Sequence, residues 1–173
     1  MRKLSMDELN RPSPQDFAEQ RKLSVVIVLD NIRSLNNIGS FFRTADAFKI
    51  ESIYLCGITA CPPHREIQKT ALGATETVTW HHHESTETAI DVLKKEGFTI
   101  VAIEQTIQSI PLWDFQTTEK TALVFGNEVD GVSDEALEQC HLAVEIPQSG
   151  TKHSLNVAVC GGIVLWHCYQ QLQ

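Results

Sequence analysis

The run Val25-Val26-Ile27-Val28-Leu29 leaves a folding chain little choice. It is apolar and mostly β-branched, has no face to turn to water, and reads as a buried strand. Related runs follow as SIYLCG (52–57), VTWHHH (78–83), TIVAIEQ (99–105), TALVFGN (121–127) and LAVEIPQ (142–148). Between them the period lengthens to that of a helix. In NIGSFFRTADAFK (37–49), Ile38, Phe41, Ala45 and Phe48 share one face, and Asn36 or Asn37 can cap the start. PHREIQKTALGA (63–74) reads as a helix with Pro63 near its beginning. STETAIDVLKKEG (85–97) reads as one capped by Ser85 and ended by Gly97. SDEALEQC (133–140) is a short helix, and a last one runs from about Ser154 to the end. Strands alternating with helices predict an α/β fold, a mostly parallel sheet with helices on both faces. With 173 residues, no repeat and no internal linker, one domain over 23–173 follows a helical N-terminal extension over 1–22.

In an open sheet of this kind ligands sit beyond the carboxyl ends of the strands. That singles out the loops after Leu29, Phe125 and Ile146. In the first, Gly39 permits close backbone approach, and Arg43, one turn later, leaves the apolar stripe for solvent or a partner. In the second, Gly126, Asn127, Glu128 and Gly131 lie at a strand end, where glycine lets a ligand meet backbone amides. The same residues also suit a plain tight turn. Neither GxGxxG nor a phosphate-binding GK[ST] is present.

In the third loop, Ser154 can cap a helix that is apolar around its whole circumference. Asn156, an amide beside that buried run, needs a hydrogen-bond partner. Gly161 and Gly162 inside the helix cost about 1 kcal/mol each relative to alanine. Such a pair is tolerated where something packs close, here read as a neighbouring helix from a second subunit.

Taken together, NNIGSFFRTADAF, LVFGNEVDGVS and IPQSGTKHSLNVAV resemble the three motifs of the SpoU-like (TrmH-type) branch of the SPOUT RNA 2′-O-ribose methyltransferases. The first has an asparagine followed six residues later by arginine. The second is a glycine, glutamate and glycine turn. The third is an isoleucine-proline start with a serine-leucine-asparagine helix opening. The order is that of the family, and the match runs from about Val25 to the C-terminus. Gln148 stands where many relatives have methionine, and Val129-Asp130 fill a spot that is often smaller. The resemblance implies a C-terminal deep trefoil knot, a homodimer, and S-adenosylmethionine as methyl donor, with S-adenosylhomocysteine as product. By position, Cys56, Gly57, Phe125, Gly126, Asn127, Ile146, Ser154 and Leu155 would contact the donor. Asn37, Arg43, Glu128, Ser154 and Asn156 would be the catalytic and substrate-facing residues.

The chemistry implied is methyl transfer to a ribose 2′-hydroxyl of tRNA or rRNA, an in-line displacement that needs no metal. Guanidinium stays protonated in proteins, so Arg43 suits gripping a phosphate and stabilising an alkoxide better than removing a proton. Alternatives are an RNA-binding module without turnover, or a methyltransferase whose acceptor is a base, a protein or a small molecule. A doubly wound nucleotide-binding protein lacks its glycine fingerprint here.

Composition narrows the setting. The polar N-terminus has no apolar run, and the longest apolar stretch, Val157 to Trp166, is ten residues. A cytoplasmic protein with no membrane partner is expected. Five cysteines with no CxxC pair read as free thiols. Cys56 and Cys61 with His81, His82 and His83 fit no zinc framework. A net charge of −8 means that any RNA contact must use local cations. The candidates are Arg2, Lys3, Arg11, Arg21 and Lys22, then Arg33 and Arg43, then His64, Arg65 and Lys69, then Lys152 and His153.

Overall fold

A computed structural model describes residues 1–5 and 7–173. In chain order the elements are α1 (Pro14–Glu19), β1 (Leu23–Asp30), α2 (Leu35–Ala47), β2 (Ile50–Cys56), α3 (Arg65–Ala71), β3 (Thr79–His83), α4 (Thr86–Lys95) and β4 (Thr99–Ile103). They continue with β5 (Ile110–Pro111), β6 (Thr121–Phe125), α5 (Asp134–Leu137), β7 (Leu142–Glu145) and α6 (Val157–Gln171). Within the expected N-terminal helix, Met6 lies outside the described residues. Around it a 3-10 turn (Asp7–Leu9) precedes α1, which Ser13 caps and Phe17 anchors.

The seven strands form one sheet in the order β3-β2-β1-β6-β4-β7-β5. Every ladder between them is parallel. The two faces divide by side-chain alternation. Val25, Ile27 and Leu29 of β1 join a core with Ile38, Phe41 and Phe42 of α2 and Val164 and Leu165 of α6. Val26 and Val28 join a second core with Ala89, Ile90 and Leu93 of α4 and Ala136 of α5. The apolar run that opened the chain's reading is apolar at every position because β1 is covered twice.

Several boundaries differ from the sequence reading. Helix α2 begins at Leu35, two residues early, because Ser34 rather than Asn36 or Asn37 accepts from the Asn37 N–H at 3.3 Å. Helix α3 is shorter than expected: His64 caps it, Pro63 lies ahead of it, and Leu72 closes it in the left-handed region at φ 50°. Helix α6 begins at Val157, because Asn156 is the cap and Ser154 is not. Strand β5 occupies a stretch that reads as loop, since two residues carry no period.

Two helical glycines are explained by contact. A Cβ on Gly39 would overlap the Thr70 hydroxyl and the Ile67 carbonyl, so α3 rests directly on α2. A Cβ on Gly161 would overlap the Phe41 ring, whereas Gly162 faces open space. The close neighbour of Gly161 is therefore α2 of the same chain, which corrects the expectation of a second subunit at that residue.

Candidate functional site

Three segments distant in sequence meet at the carboxyl end of the sheet. After β1 the chain turns through Asn31 to Ser34 into α2. After β6 it makes a tight loop in which Asn127 and Gly131 exchange backbone hydrogen bonds of 2.9 and 3.0 Å. Gly126 is glycine because a Cβ would overlap the backbone of Gly131 and Val132. The loop thereby aims Glu128 at the start of α2. The Glu128 carboxylate accepts from the Arg33 N–H (3.0 Å), the Ser34 N–H (3.1 Å) and the Asn37 amide (3.0 Å). An anion there also complements the helix dipole. Burial pushes the Glu128 carboxyl up. The hydrogen bonds from Arg33, Asn37, its own N–H and Ser34 outweigh that, and the net direction is downward.

The third segment enters through Asn156. Its side-chain oxygen accepts from the N–H groups of Ala158 (3.0 Å) and Val159 (3.3 Å), capping α6. Its amide donates to the Asn37 side-chain oxygen at 3.2 Å. Glu128, Asn37 and Asn156 thus form one chain of hydrogen bonds that fixes two helix starts and a loop against each other. This answers how the polar Asn156 is tolerated beside an apolar helix.

Beside this chain lies a cavity of about 310 Å³. Of the residues singled out by sequence, Phe125, Gly126, Asn127, Glu128, Ile146, Ser154 and Leu155 line it. Ile103, Val144 and Val157 complete an apolar wall, while Glu104, Asp130 and Glu145 add carboxylates. The volume falls in the range of small-molecule sites, about 300–1,000 Å³. The lining combines apolar side chains with four carboxylates, Glu104, Glu128, Asp130 and Glu145, so it offers both apolar contact and negative charge to a ligand.

Other predicted residues lie elsewhere. Arg43 is exposed on the outer stripe of α2 with Asn36 and Ser40, and makes no hydrogen bond or ion pair to any described residue. Cys56 and Gly57 are not in the lining, because β1 separates β2 from β6. Cys56 packs in the α4 and α5 core, where burial pushes its thiol up to about 12. Gly57, at φ 60°, sits against the Asn31 side chain. Among the described residues no three or more His, Cys, Asp or Glu side chains are grouped to hold a metal ion. His81 and His83 instead pack on the Tyr54 ring, with His83 stacked at 4.8 Å.

Three participants escaped the sequence reading. Glu104, at the end of β4, accepts from the Val132 N–H at 3.0 Å and holds the glycine loop from behind. Gln105 donates to the His153 carbonyl at 3.3 Å and ties the third segment down. Asp30, buried on the opposite face, accepts from Thr86, Asn31 and Ser133. A lone carboxylate ending a strand carries no spacing signal. Only the charge at the end of β1 hinted at Asp30.

Comparisons with known proteins converge. The model of the SpoU rRNA Methylase family matches residues 24–166. The tRNA (guanosine(18)-2′-O)-methyltransferase of Thermus thermophilus is 28% identical over 164 residues, covering 95% of this chain and 84% of the relative. The mouse tRNA (guanosine(18)-2′-O)-methyltransferase TARBP1 is 30% identical over 149 residues, 85% of this chain but only 9% of that much longer protein. The structure of an AdoMet-bound rRNA methyltransferase from Sinorhizobium meliloti superposes with a TM-score of 0.82 at 27% identity, covering 94% of this chain and 62% of the other.

Proposed function

Because the chain belongs to the SpoU rRNA methylase family, we propose that it transfers a methyl group from S-adenosylmethionine to a ribose 2′-hydroxyl of tRNA or rRNA. The observation that carries this is the hydrogen-bonded chain Glu128–Asn37–Asn156 standing beside a cavity that suits the donor. When bound, the donor supplies an activated methyl group on a cationic sulfur. The backbone around Phe125, Gly126 and Asn127, with Ile146 and Leu155, would hold it and exclude water. Glu128 keeps both helix starts in register. Ser154, at the cavity and free of any capping duty, would orient the acceptor hydroxyl.

Arg43 stands outside the cavity, so its work in this reading is on the RNA. Its guanidinium stays charged and offers a fork of donors to a phosphate. The knot implied by the resemblance is part of the proposal, supported by the likeness of fold. So is the cytoplasm as place of action; no helix among the described residues is long and apolar enough to cross a membrane. A homodimer is supported by an uncovered apolar stripe on α6, where Val159, Ile163 and Trp166 are 54%, 41% and 48% exposed at helical spacing. Sedimentation should then give twice the chain mass of 19.3 kDa.

The deciding experiment incubates the protein with labelled donor and RNA and digests the product to nucleosides for mass spectrometry. A 2′-O-methylated nucleoside is expected. Arg43→Lys should lose most turnover while calorimetry still detects donor uptake. A methyl on a base, on protein or on a small molecule overturns the ribose reading. RNA binding with no transfer makes the chain a silent module.

A further inference from the structure

The net charge of −8 is not spread evenly. Residues 84–145 hold 13 of the 22 carboxylates against three lysines, a net of −10, so the rest of the chain carries +2. Seven of those carboxylates, Glu84, Glu87, Asp91, Glu96, Asp134, Glu135 and Glu138, lie on or beside α4 and α5, where Asp91, Asp134, Glu135 and Glu138 are exposed, while Glu104, Glu128, Asp130 and Glu145 line the cavity. The opposite layer is different. No carboxylate occurs from Asn31 to Ala45, and none from Ser52 to Arg65. These two acid-free stretches are fastened together. The Thr59 hydroxyl accepts from the Ile32 N–H (2.9 Å) and donates to the Leu29 carbonyl (3.1 Å). The Ile58 N–H reaches Asn31 at 3.1 Å, and the Thr70 hydroxyl donates to the Asn36 carbonyl at 3.0 Å. The chain therefore leaves β2 for α3 at the same carboxyl end of the sheet as the candidate site, and α3 lies along the first half of α2.

The result is a ridge whose exposed cations are Arg33, Arg43, Arg65 and Lys69, with Gln68 as an uncharged donor between the last two. Arg33 stands at the site itself, since its N–H is bound by Glu128. The one acid of α3, Glu66, pairs with Lys69 at 2.7 Å, a half-exposed surface pair that a phosphate can displace at little cost.

Resting on the reading of the chain as an RNA methyltransferase, we propose that the α2–α3 ridge is the surface along which the RNA phosphate backbone lies, with Arg33, Arg65 and Lys69 continuing the track that begins at Arg43. The acidic α4–α5 layer repels the same polyanion, so the two faces together orient it. Each phosphate contact releases counterions and adds about 0.7–0.9 to the slope of log affinity against log salt.

The test compares the double variant Arg65→Gln/Lys69→Gln with Lys94→Gln/Lys95→Gln on α4, using bulk tRNA and ribosomal RNA fragments as probes across a salt series. The ridge variant should bind at least several-fold more weakly with a visibly shallower slope. Its RNA KM should rise while turnover at saturating RNA holds and its melting curve stays put. The α4 variant should bind like the unaltered protein. Unaltered affinity and slope in the ridge variant, or an equal loss in the α4 variant, overturns the ridge. If the ridge variant loses RNA affinity but the unaltered protein transfers no methyl group, the ridge stands and the methyltransferase reading falls.

Discussion

Asp30 and Glu128 stand at the same end of neighbouring strands and do opposite things. Asp30 is 1% exposed and accepts four hydrogen bonds, from Asn31, Thr86 and both the N–H and hydroxyl of Ser133, at 2.6 to 2.8 Å. A carboxylate offers about four acceptor sites, so Asp30 is full. Glu128 is exposed, accepts three hydrogen bonds from other residues and lines the cavity. The same contrast recurs in α6, where Gly161 is closed by the Phe41 ring and Gly162 is open. In each pair one member is used up inside the chain, and the other retains capacity for something outside it. Closure marks what holds the fold, and openness marks where function is to be sought.

The sharpest way to break this contrast is Asp30→Ala. It orphans the buried Thr86 hydroxyl and the part-buried donors of Asn31 and Ser133, and each unsatisfied buried group costs about 1–3 kcal/mol. A loss of about 3 kcal/mol or more is expected, which for a chain of this size lowers the melting temperature by roughly 6–12 °C. A calorimetric shift under about 2 °C would mean that Asp30 is no more structural than Glu128. The glycines come next. Gly161→Leu drives a side chain into Phe41 and should cost about 1–3 kcal/mol, as overpacking does. Gly162→Leu should leave the melting temperature unchanged or raised, because leucine favours a helix by nearly 1 kcal/mol over glycine. Its effect belongs on mass: if the proposed homodimer forms through the α6 stripe, light scattering should show it weakened. An unchanged dimer in Gly162→Leu would move the contact off this stripe.

The closed parts were the more legible in sequence. Two-sided burial left Val25 to Leu29 of β1 apolar at every position, and α4 carried its cap at Ser85 and its stop at Gly97. The open parts were legible only through resemblance. Glycine, glutamate and asparagine each have ordinary uses in turns and caps, and nothing in their spacing says that Asn37 bridges Glu128 and Asn156 across 91 and 119 residues. Glu104 and Asp30 were missed for a related reason, since burial of a strand-end carboxylate depends on which strands become neighbours. The order β1-β6-β4 is set by long-range packing. The expectation that Cys56 and Gly57 contact the donor came from the resemblance alone, and their absence from this cavity's lining follows from that same strand order, in which β1 intervenes.

Glu128→Gln tests the open member at its smallest scale, through pH. The carboxyl is held below its ordinary value of 4.5, so the folded state favours its charged form. That contribution is fully present above the unfolded value and is lost as acidification carries the group through its lowered folded value. The difference in stability between the unaltered protein and Glu128→Gln should therefore be constant from pH 7 to about 5 and shrink below about 4.5. Its plateau should stay under about 1 kcal/mol, because an exposed carboxylate is screened by solvent. Urea titrations at each pH measure that difference directly. Turnover should fall far more than stability does, because loosening the starts of α2 and α6 displaces the Asn37–Asn156 contact. A plateau of several kcal/mol would make Glu128 a second Asp30, and a variant with full turnover would leave the open carboxylate with no function to explain.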